Sequence, residues 1–423
     1  MENSNRVIAA PNCDDDYDNA SLSCDEALAR MIKRVVPVTG SETLAVRQSL
    51  GRVLAAPIVS KFNVPSHINS AMDGYAVRTQ DLPNTGTKML RVVGVALAGR
   101  PFNGTVKENE AVRIMTGAVV PPETNVVVMQ EQVEVNEEMI TVDDRHKDGQ
   151  NVRAAGEDIA AGTTVLVAGR EITPADLGLI ASLGISDVAV RRRIRVAFMS
   201  TGDELRGVGE TLGRGEIHDS NRYTLYGMLT RLGVEIIDLG VVQDDPDRVR
   251  TALQNAAAAA DVIISSGGVS VGEADYIKQI LAEIGQVHFW KVAMKPGRPL
   301  AFGTINDAVF FGLPGNPVSV MVTYYQFVQP TLRKIMGANQ QPQLLLKAAA
   351  GNVMKKRPGR TEYQRGYLST SESGVLTVGT ESDQGSGILS SMTNANCFVV
   401  LPMDSGRVEA GEEVTVQPFF GIM

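Results

Sequence analysis

Cysteine and histidine are scarce in this 423-residue sequence. The three cysteines, Cys13, Cys24 and Cys397, are odd in number and widely spaced, and the four histidines are scattered. Neither residue type shows the spacing of a zinc site or of a disulfide framework. The sequence therefore predicts a protein without structural zinc or disulfides, as is typical of a reducing cytoplasm.

Long apolar runs are absent as well. No uncharged stretch is long enough to cross a bilayer, and the first 20 residues, with their Asp14-Asp15-Asp16 run, lack the apolar centre of a signal peptide. A formal net charge of −8 argues against general nucleic-acid binding. We expect a soluble, cytoplasmic protein that begins with a disordered leader at residues 1–20 and contacts neither nucleic acid nor membrane.

The most distinctive segment that is present is DVIISSGGVSVGEADY, residues 261–276. A short apolar strand leads into a glycine- and serine-rich loop that contains Ser266, Gly267, Gly268 and Ser270. Such a loop ahead of a helix presents backbone N–H groups that can bind an anion. Alone, such a loop is more often an ordinary tight turn. Asp275, which follows the loop, adds a carboxylate suited to a metal or a ligand hydroxyl.

Strands and helices alternate through residues 195–337. Apolar strands are predicted near 195–199, 234–239, 261–265, 287–292, 300–302 and 309–311, and helices between Asp219 and Gly233, from Pro246 through the alanines, at 274–284 and at 317–336. This alternation predicts a doubly wound parallel sheet covered on both faces. Ligands bind beyond the carboxyl ends of such strands, where the loops 200–205, 240–247, 294–299 and 312–317 join the serine-rich loop.

These loops carry charges of opposite sign. Lys291, Lys295 and Arg298 surround a Pro-Gly turn that suits a compact oxyanion. The carboxylates, by contrast, follow the ends of other strands: Asp203, Glu204, Asp244, Asp245 and Asp275. A ligand with a phosphate, a hydroxylated or amine-bearing part and Mg²⁺ would satisfy both sets. The alternatives are a solvated basic turn and ordinary helix capping by Asp244 and Asp245.

The remaining chain predicts three further regions. We expect an elongated helical region at 21–60 with 155–190 (helices near 23–35, 41–50 and 174–183), an inserted β-rich domain at 61–154, the α/β domain at 191–338 and a small C-terminal β-barrel domain at 339–423. Outside the α/β domain, NSAMDGYAV (69–77), RIMTG (113–117) and NVRAAGED (151–158) stand out. Each is, by itself, more typical of a turn than of a site.

Taken together, the motifs resemble the molybdopterin molybdenumtransferase family, which includes the E domains of gephyrin. The resemblance covers about residues 23–419 and depends on NSAMDGYAV, RIMTGA, VVMQEQ, GEDI, STGDEL, SSGGVSVGEADY, KPGRP, GLPGNPVS and PGRTEYQRG in this order. It implies the four-part architecture above and a homodimer whose active cleft the partner completes. It also admits the molybdopterin adenylyltransferase as a second partner.

The resemblance implies a molybdopterin-binding transferase of molybdenum cofactor biosynthesis. It would insert molybdate into adenylylated molybdopterin with Mg²⁺ and release AMP. The implied molybdate pocket includes Lys295, Arg298, Pro299 and Ser319, with Arg360 or Arg365 and Ser386, and Lys291 is a further implied catalytic residue. Glu204, Asp244 and Asp275 would hold Mg²⁺ or the adenylylated pterin, and Pro314 and Pro317 would shape the floor. The partner subunit would supply Asp73, Thr116, Arg153 and Asp158.

Two other functions use the same α/β domain. A pterin-binding adenylyltransferase would share the serine-rich loop, but would lack the inserted β domain and the combination of KPGRP with PGRTEYQRG. A scaffold would bind molybdopterin without catalysis, and the full acidic set argues against it. These alternatives differ in whether molybdate triggers AMP release.

Overall fold

The computed structural model describes residues 21–267, 275–381 and 383–420. The described chain forms two compact units. The larger unit contains the residues up to Glu42, Gly51–Ala55 and the chain from Ala189 onward, and the smaller contains Thr43–Leu50 and Ala56–Val188. The domain bounds drawn from the sequence stay predictions beside this division.

A six-stranded sheet forms the centre of the larger unit. Its strands lie in the order Glu235–Val242, Arg195–Thr201, Val262–Ser266, Ala308–Leu313, Pro299–Ile305 and Gly285–Lys291. The first four pair in parallel, and Pro299–Ile305 runs antiparallel to both of its neighbours. No helix separates these last strands in the chain, so short connections force the reversed direction. Five of the six strands therefore point the same way.

Helices cover both faces of this sheet, as the alternation predicted. Val196 and Phe198 pack on one face with the Ser220–Leu232 helix, whereas Ala197 and Met199 pack on the other with the Pro246–Ala259 and Asp275–Ile284 helices. Successive strand residues point to opposite faces, and all four of these side chains are buried. The doubly wound architecture is confirmed.

Local sequence signals account for the helix bounds. Asp219 caps the Ser220–Leu232 helix, and Gly233 ends it with a φ of 76°, a left-handed conformation that glycine adopts without strain. Asp245 caps the Pro246–Ala259 helix, with Pro246 in its first turn. The predicted helix 317–336 is Pro317–Thr323 and Gln329–Ile335 joined by a π-helical turn, Tyr324–Val328. Pro330 lacks the N–H that a regular α-helix needs at this point, and the wider turn absorbs the loss.

A closed five-stranded barrel occupies the C-terminal region. The strands Thr361–Thr370, Leu376–Thr380, Leu346–Ala350, Glu413–Pro418 and Cys397–Leu401 pair in this order, and the last returns to the first. The short helix Ser390–Asn394 lies between two of them in the chain. The strand Met294–Lys295, which comes from the α/β sheet's loops, pairs in parallel with Thr361–Thr370. This pairing brings KPGRP beside PGRTEYQRG.

The smaller unit contains a second six-stranded sheet. Its strands lie in the order Val126–Met129, Gly74–Val77, Glu110–Ile114, Thr87–Ala96, Met139–Asp143 and Glu134–Asn136. Short paired strands, Asn69–Ser70 with Val152–Arg153 and Ile58–Val59 with Thr164–Leu166, also belong to this unit. Short 3₁₀ turns occur at Thr79–Asp81 and Gln130–Gln132.

The helices outside the α/β domain are partly as predicted. Cys24–Arg34 and Pro174–Ser182 are helices, each begun by a capping box. The predicted helix at 41–50 is wrong, because the chain forms a strand, Ser41–Ala45, and a single 3₁₀ turn, Val46–Gln48. The Val46 N–H donates to Ser186 O at 2.9 Å, so a distant segment takes the hydrogen bond that a helix would use locally. Further strands are Asp187–Arg191, Leu205–Arg206 and Ile217–His218. Among the described residues, no helix is long and apolar enough to cross a membrane.

Candidate active site

A cleft of about 700 Å³ opens at the carboxyl edge of the α/β sheet. Loops from four neighbouring strands and the start of the Ser220–Leu232 helix line it, together with the 387–389 segment. Its principal lining residues are Thr201, Gly202, Glu204, Asp219, Asn221, Asp244, Ser266, Gly267, Gly315 and Pro317. The cleft thus lies where the strand order predicted a ligand.

Glu204 and Asp244 face this cleft from adjacent strands. Both are exposed, and the Asp244 N–H donates to the Asp203 carboxylate at 3.2 Å, which ties the two loops together. Two carboxylates in one cleft fit Mg²⁺, which keeps waters and substrate oxygens as its other ligands. The described residues contain no group of three or more His, Cys, Asp or Glu that could hold a metal ion unaided. The third predicted carboxylate, the side chain of Asp275, lies outside the described residues, as do Gly268 and Ser270.

Gly267 is fitted tightly against the neighbouring strand. Its φ is 92°, and a Cβ placed there would lie 2.6 Å from the Thr201 carbonyl oxygen. Its N–H donates to Leu313 O at 3.1 Å. Only glycine permits this close approach, so the loop begins directly on the floor of the cleft.

Several buried polar atoms around the cleft have no hydrogen-bond partner within the described part of the chain. They are Ser200 Oγ, Thr201 Oγ1, Asp219 Oδ2 and Asn221 Oδ1. Buried polar groups are nearly always paired, and leaving one unpaired costs about 1–3 kcal/mol. A cluster of such atoms in one cleft indicates a polar ligand. Sequence analysis missed them, because Asp219 stood out only as the start of a predicted helix.

The cationic loop lies at the same edge, two strands farther along the sheet. The Val292 N–H donates to Arg298 O at 2.9 Å and closes the loop. Lys295 is 56% exposed in its side chain, and its Nζ lies 3.7 Å from Glu362 Oε1. Lys291 ends one sheet strand, Pro299 begins the next, and Arg360 precedes the first barrel strand. None of these residues lines the 700 Å³ cleft itself.

The helix that begins at Pro317 connects the cleft with the cationic loop. Pro317 lines the cleft, whereas Ser319 is buried in the first turn, with its backbone oxygen 3.6 Å from where a Cβ on Gly297 would lie. Pro314 is buried directly after the last parallel strand. Pro317 and Ser319 therefore share one helical turn that lies between the cleft and the cationic loop.

Arg365 is buried and holds a loop in place. It is 2% exposed, its Nε donates to Ser391 Oγ at 2.9 Å, and its Nη2 donates to Gly385 O at 3.0 Å. Burial lowers the pKa of its guanidinium from the ordinary value. Ser386 O in turn accepts the Val318 N–H at 3.1 Å. Arg365 therefore positions the segment whose residues 387 and 389 line the cleft.

The smaller unit gathers the three outlying motifs. Asp73 Oδ1 accepts the Thr116 N–H and the Thr116 hydroxyl, each at 2.7 Å, and these bonds lower the pKa of Asp73. Arg153 pairs with Asn69 across two short strands, and the Asp158 N–H donates to Val64 O at 3.1 Å. Thr116, Arg153 and Asp158 are exposed. Motifs far apart in the chain thus present a polar face on one unit.

Comparison with known proteins agrees with this organisation. Residues 22–184 match the MoeA N-terminal region (domain I and II), residues 197–334 a probable molybdopterin binding domain, and residues 347–419 the MoeA C-terminal region (domain IV). The chain is 46% identical to a molybdopterin molybdenumtransferase of Haemophilus influenzae over 94% of this chain and 98% of that protein. A Nostoc protein of the same name is 36% identical, with 92% of each chain covered.

Solved structures give the same result. The molybdopterin biosynthesis moeA protein from Pyrococcus horikoshii OT3 superimposes with a TM-score of 0.82 at 30% identity, covering 94% of this chain and 100% of that one. Both the sequence matches and the fold extend across all the regions described above. The chain therefore belongs to the molybdopterin molybdenumtransferase family, enzymes of molybdenum cofactor biosynthesis.

Proposed function

We propose that the protein inserts molybdate into adenylylated molybdopterin in the presence of Mg²⁺ and releases AMP. The two dithiolene thiols would replace two oxides of molybdate, which leave as two waters after taking up the two thiol protons and two protons from solvent. One of those waters is consumed when the phosphoanhydride bond breaks, so that both phosphates end with an oxygen. AMP is the leaving group.

The observation that carries this proposal is that Glu204 and Asp244 line one cleft, together with buried polar atoms that have no hydrogen-bond partner among the described residues. A ligand that joins a polar ring to a phosphoanhydride satisfies both features. Glu204 and Asp244 would hold Mg²⁺, and Asp275 is a third candidate from the sequence. When bound, Mg²⁺ withdraws charge from the phosphoanhydride oxygens and so assists the departure of AMP.

The cationic loop supports a separate molybdate subsite. Lys295 is largely exposed and only loosely paired with Glu362, so its charge is accessible to an oxyanion. Its parallel pairing with the first barrel strand fixes the backbone, which holds the charge in position. Lysine acts here as a point charge, and Arg298 as a planar fork of donors.

The polar face of the smaller unit supports a homodimer with a shared cleft. Asp73 is held by two short hydrogen bonds from Thr116, which keeps its carboxylate ionised and oriented. The side chains of Arg153 and Asp158, by contrast, are exposed. We propose that this face approaches the cleft of the partner subunit.

The test of the reaction is AMP release. Purified protein is mixed with adenylylated molybdopterin and Mg²⁺, and AMP is followed with and without molybdate. Molybdate-dependent AMP release is the expected result. Tight molybdopterin binding without AMP release would favour the scaffold function and contradict the proposal.

The shared cleft has its own test, which uses mixed dimers. Asp73→Asn and Lys295→Ala are each expected to release little AMP at a molybdate concentration that just saturates the wild type, and dimers formed by refolding them together should recover part of the activity. Recovery requires one intact cleft built from two chains. Absence of recovery, with mixed dimers demonstrated by differential tags, would contradict a partner-supplied Asp73.

A further inference from the structure

Asp219 has one more oxygen than its role as a helix cap requires. Its Oδ1 accepts the Arg222 N–H at 3.1 Å, which caps the Ser220–Leu232 helix. Its Oδ2 is buried and has no partner among the described residues, although the residue is only 3% exposed and lines the cleft. Capping needs a single acceptor, so the helix cap does not account for the second oxygen.

Asn221, which lines the same cleft, has a second acceptor of this kind. Its Nδ2 donates to Gly315 O at 2.6 Å and to Ser266 Oγ at 3.0 Å. A backbone carbonyl can only accept, so these bonds fix which end of the amide faces the Gly315 loop. Oδ1 is left buried without a partner in the described chain.

Thr201 adds a hydroxyl to this pair. The residue is 6% exposed and its Oγ1 is likewise buried and unpartnered in the part of the chain that is described. It lies directly beneath Gly267, since a Cβ on that glycine would be 3.1 Å from the hydroxyl oxygen. All three residues line the 700 Å³ cleft.

This set selects for one part of the substrate. Two acceptors, one of them a carboxylate oxygen, repel phosphate and molybdate and require hydrogen-bond donors, such as N–H groups. A pterin carries adjacent donors, its 2-amino group and its N3–H, whereas adenine offers an amino group beside a ring nitrogen that accepts. The two donors on the pterin edge match two acceptors on the protein. The adenine edge, with one donor beside one acceptor, does not match them.

We propose that Asp219 and Asn221 accept hydrogen bonds from the amino and ring N–H groups of the pterin, and that Thr201 contributes its hydroxyl to the same part of the cleft. These residues thereby determine which end of the substrate enters that part of the cleft. This inference rests on the proposed function, because it takes the substrate to be a molybdopterin. It assigns recognition of the pterin ring to residues outside the charged motifs.

The first test uses Asp219→Asn. Asparagine caps helices about as well as aspartate, so its oxygen stays on the Arg222 N–H and an NH₂ donor replaces Oδ2. Asp245→Asn is the matched control. Asp245 caps the Pro246–Ala259 helix through the Arg248 N–H at 2.9 Å and does not line the cleft.

Binding is measured without molybdate or Mg²⁺, by anaerobic titration with molybdopterin and, separately, with AMP. Molybdopterin is also displaced with 6-hydroxymethylpterin and with 6-hydroxymethyllumazine, in which an oxo group replaces the 2-amino group. We expect Asp219→Asn to bind molybdopterin at least about tenfold more weakly, to bind AMP normally and to lose the wild-type preference for the pterin. Asp245→Asn should match the wild type.

Several results would overturn the inference. These are unchanged molybdopterin affinity, an equal loss for AMP and molybdopterin, a loss confined to AMP, or a retained preference for the pterin. If Asp219→Asn does not fold, Thr201→Val replaces it, since an unpartnered buried hydroxyl can be removed with little loss of stability. This variant should also weaken molybdopterin selectively, and unchanged binding would count against the inference. A wild-type protein that prefers the pterin but releases no AMP would contradict the proposed function alone.

Discussion

Replacing Gly267 by alanine should disturb the cleft, whereas the same change at Gly315 should not. Both glycines line the cleft. At Gly267 the φ is 92° and the added Cβ would lie 2.6 Å from the Thr201 carbonyl oxygen, whereas at Gly315 no atom lies within 4 Å and the φ is not in the left-handed region. The two substitutions therefore add the same methyl group in opposite steric situations.

The magnitude follows from these two features. A non-glycine residue at such a φ costs about 1–3 kcal/mol. The contact with a backbone oxygen adds to this, because the carbonyl belongs to a central strand and cannot move aside as a flexible side chain would. We expect a total of about 2–4 kcal/mol for Gly267→Ala and less than about 0.5 kcal/mol for Gly315→Ala.

The free-energy cost of Gly267→Ala can appear in either of two measurements. If the loop keeps its position, the free energy of unfolding in urea falls. If the loop shifts to relieve the contact, molybdopterin affinity falls instead, by about 30- to 700-fold for the whole amount. Both quantities are measured for both variants. The reasoning is refuted if Gly267→Ala stays within about 0.5 kcal/mol of the wild type in stability and in binding together.

Three further predictions concern ionised groups and thiols. Burial raises the pKa of Asp261, but the hydrogen bonds from Arg192 and the Arg195 N–H outweigh this effect. The net result is a pKa below the usual value for aspartate. Its stabilisation is present above the unfolded pKa of about 3.9 and is lost as the pH falls through the lower folded pKa. Asp261→Asn should cost about 1–3 kcal/mol at pH 7, and this difference in unfolding free energy should shrink towards pH 3; a pH-independent difference would contradict the assignment. Lys295→Ala should raise the molybdate concentration needed for AMP release more than it weakens molybdopterin binding, and a pure binding defect would disprove a molybdate role. Burial raises the pKa of Cys24 to about 11 and that of Cys397 to about 12, so neither should react with iodoacetamide at pH 8 before urea unfolds the chain, as peptide mass mapping would detect.

The sequence predicted those elements whose signals are local. Gly233 after an apolar helix face, Pro246 after an aspartate and Thr173 before Pro174 each specify a helix end through backbone chemistry within a few residues. The segment 41–50 lacked such a signal, and its hydrogen bonding with residue 186 decided its conformation. Predictions failed where distant chain segments compete for the same backbone groups.

Side-chain roles were harder to predict than elements. From its residue type alone, an arginine near a predicted oxyanion pocket is expected to bind an anion. In the structure, however, Arg365 donates to Ser391 and to a backbone carbonyl. Its burial follows from its position on a barrel strand whose neighbours are known only after the barrel closes. A linear motif identifies residue types, whereas their hydrogen-bond partners depend on the register of strands far away in the chain.

The two parts of the proposed substrate would place opposite demands on the protein, and this would explain why only one of them leaves clear motifs in the sequence. Phosphate and molybdate attract charges and glycine-rich backbone, which leave recognisable motifs in the sequence. A neutral ring needs only a few fixed acceptors, which the fold can supply from residues that already have structural work, as Asp219 does in capping a helix. Such acceptors become visible when the hydrogen bonds are counted, because the capping bond uses one Asp219 oxygen and leaves the other buried without a partner among the described residues. Under the proposed function, unsatisfied polar atoms therefore indicate the pterin end of the site, and sequence motifs indicate the phosphate end.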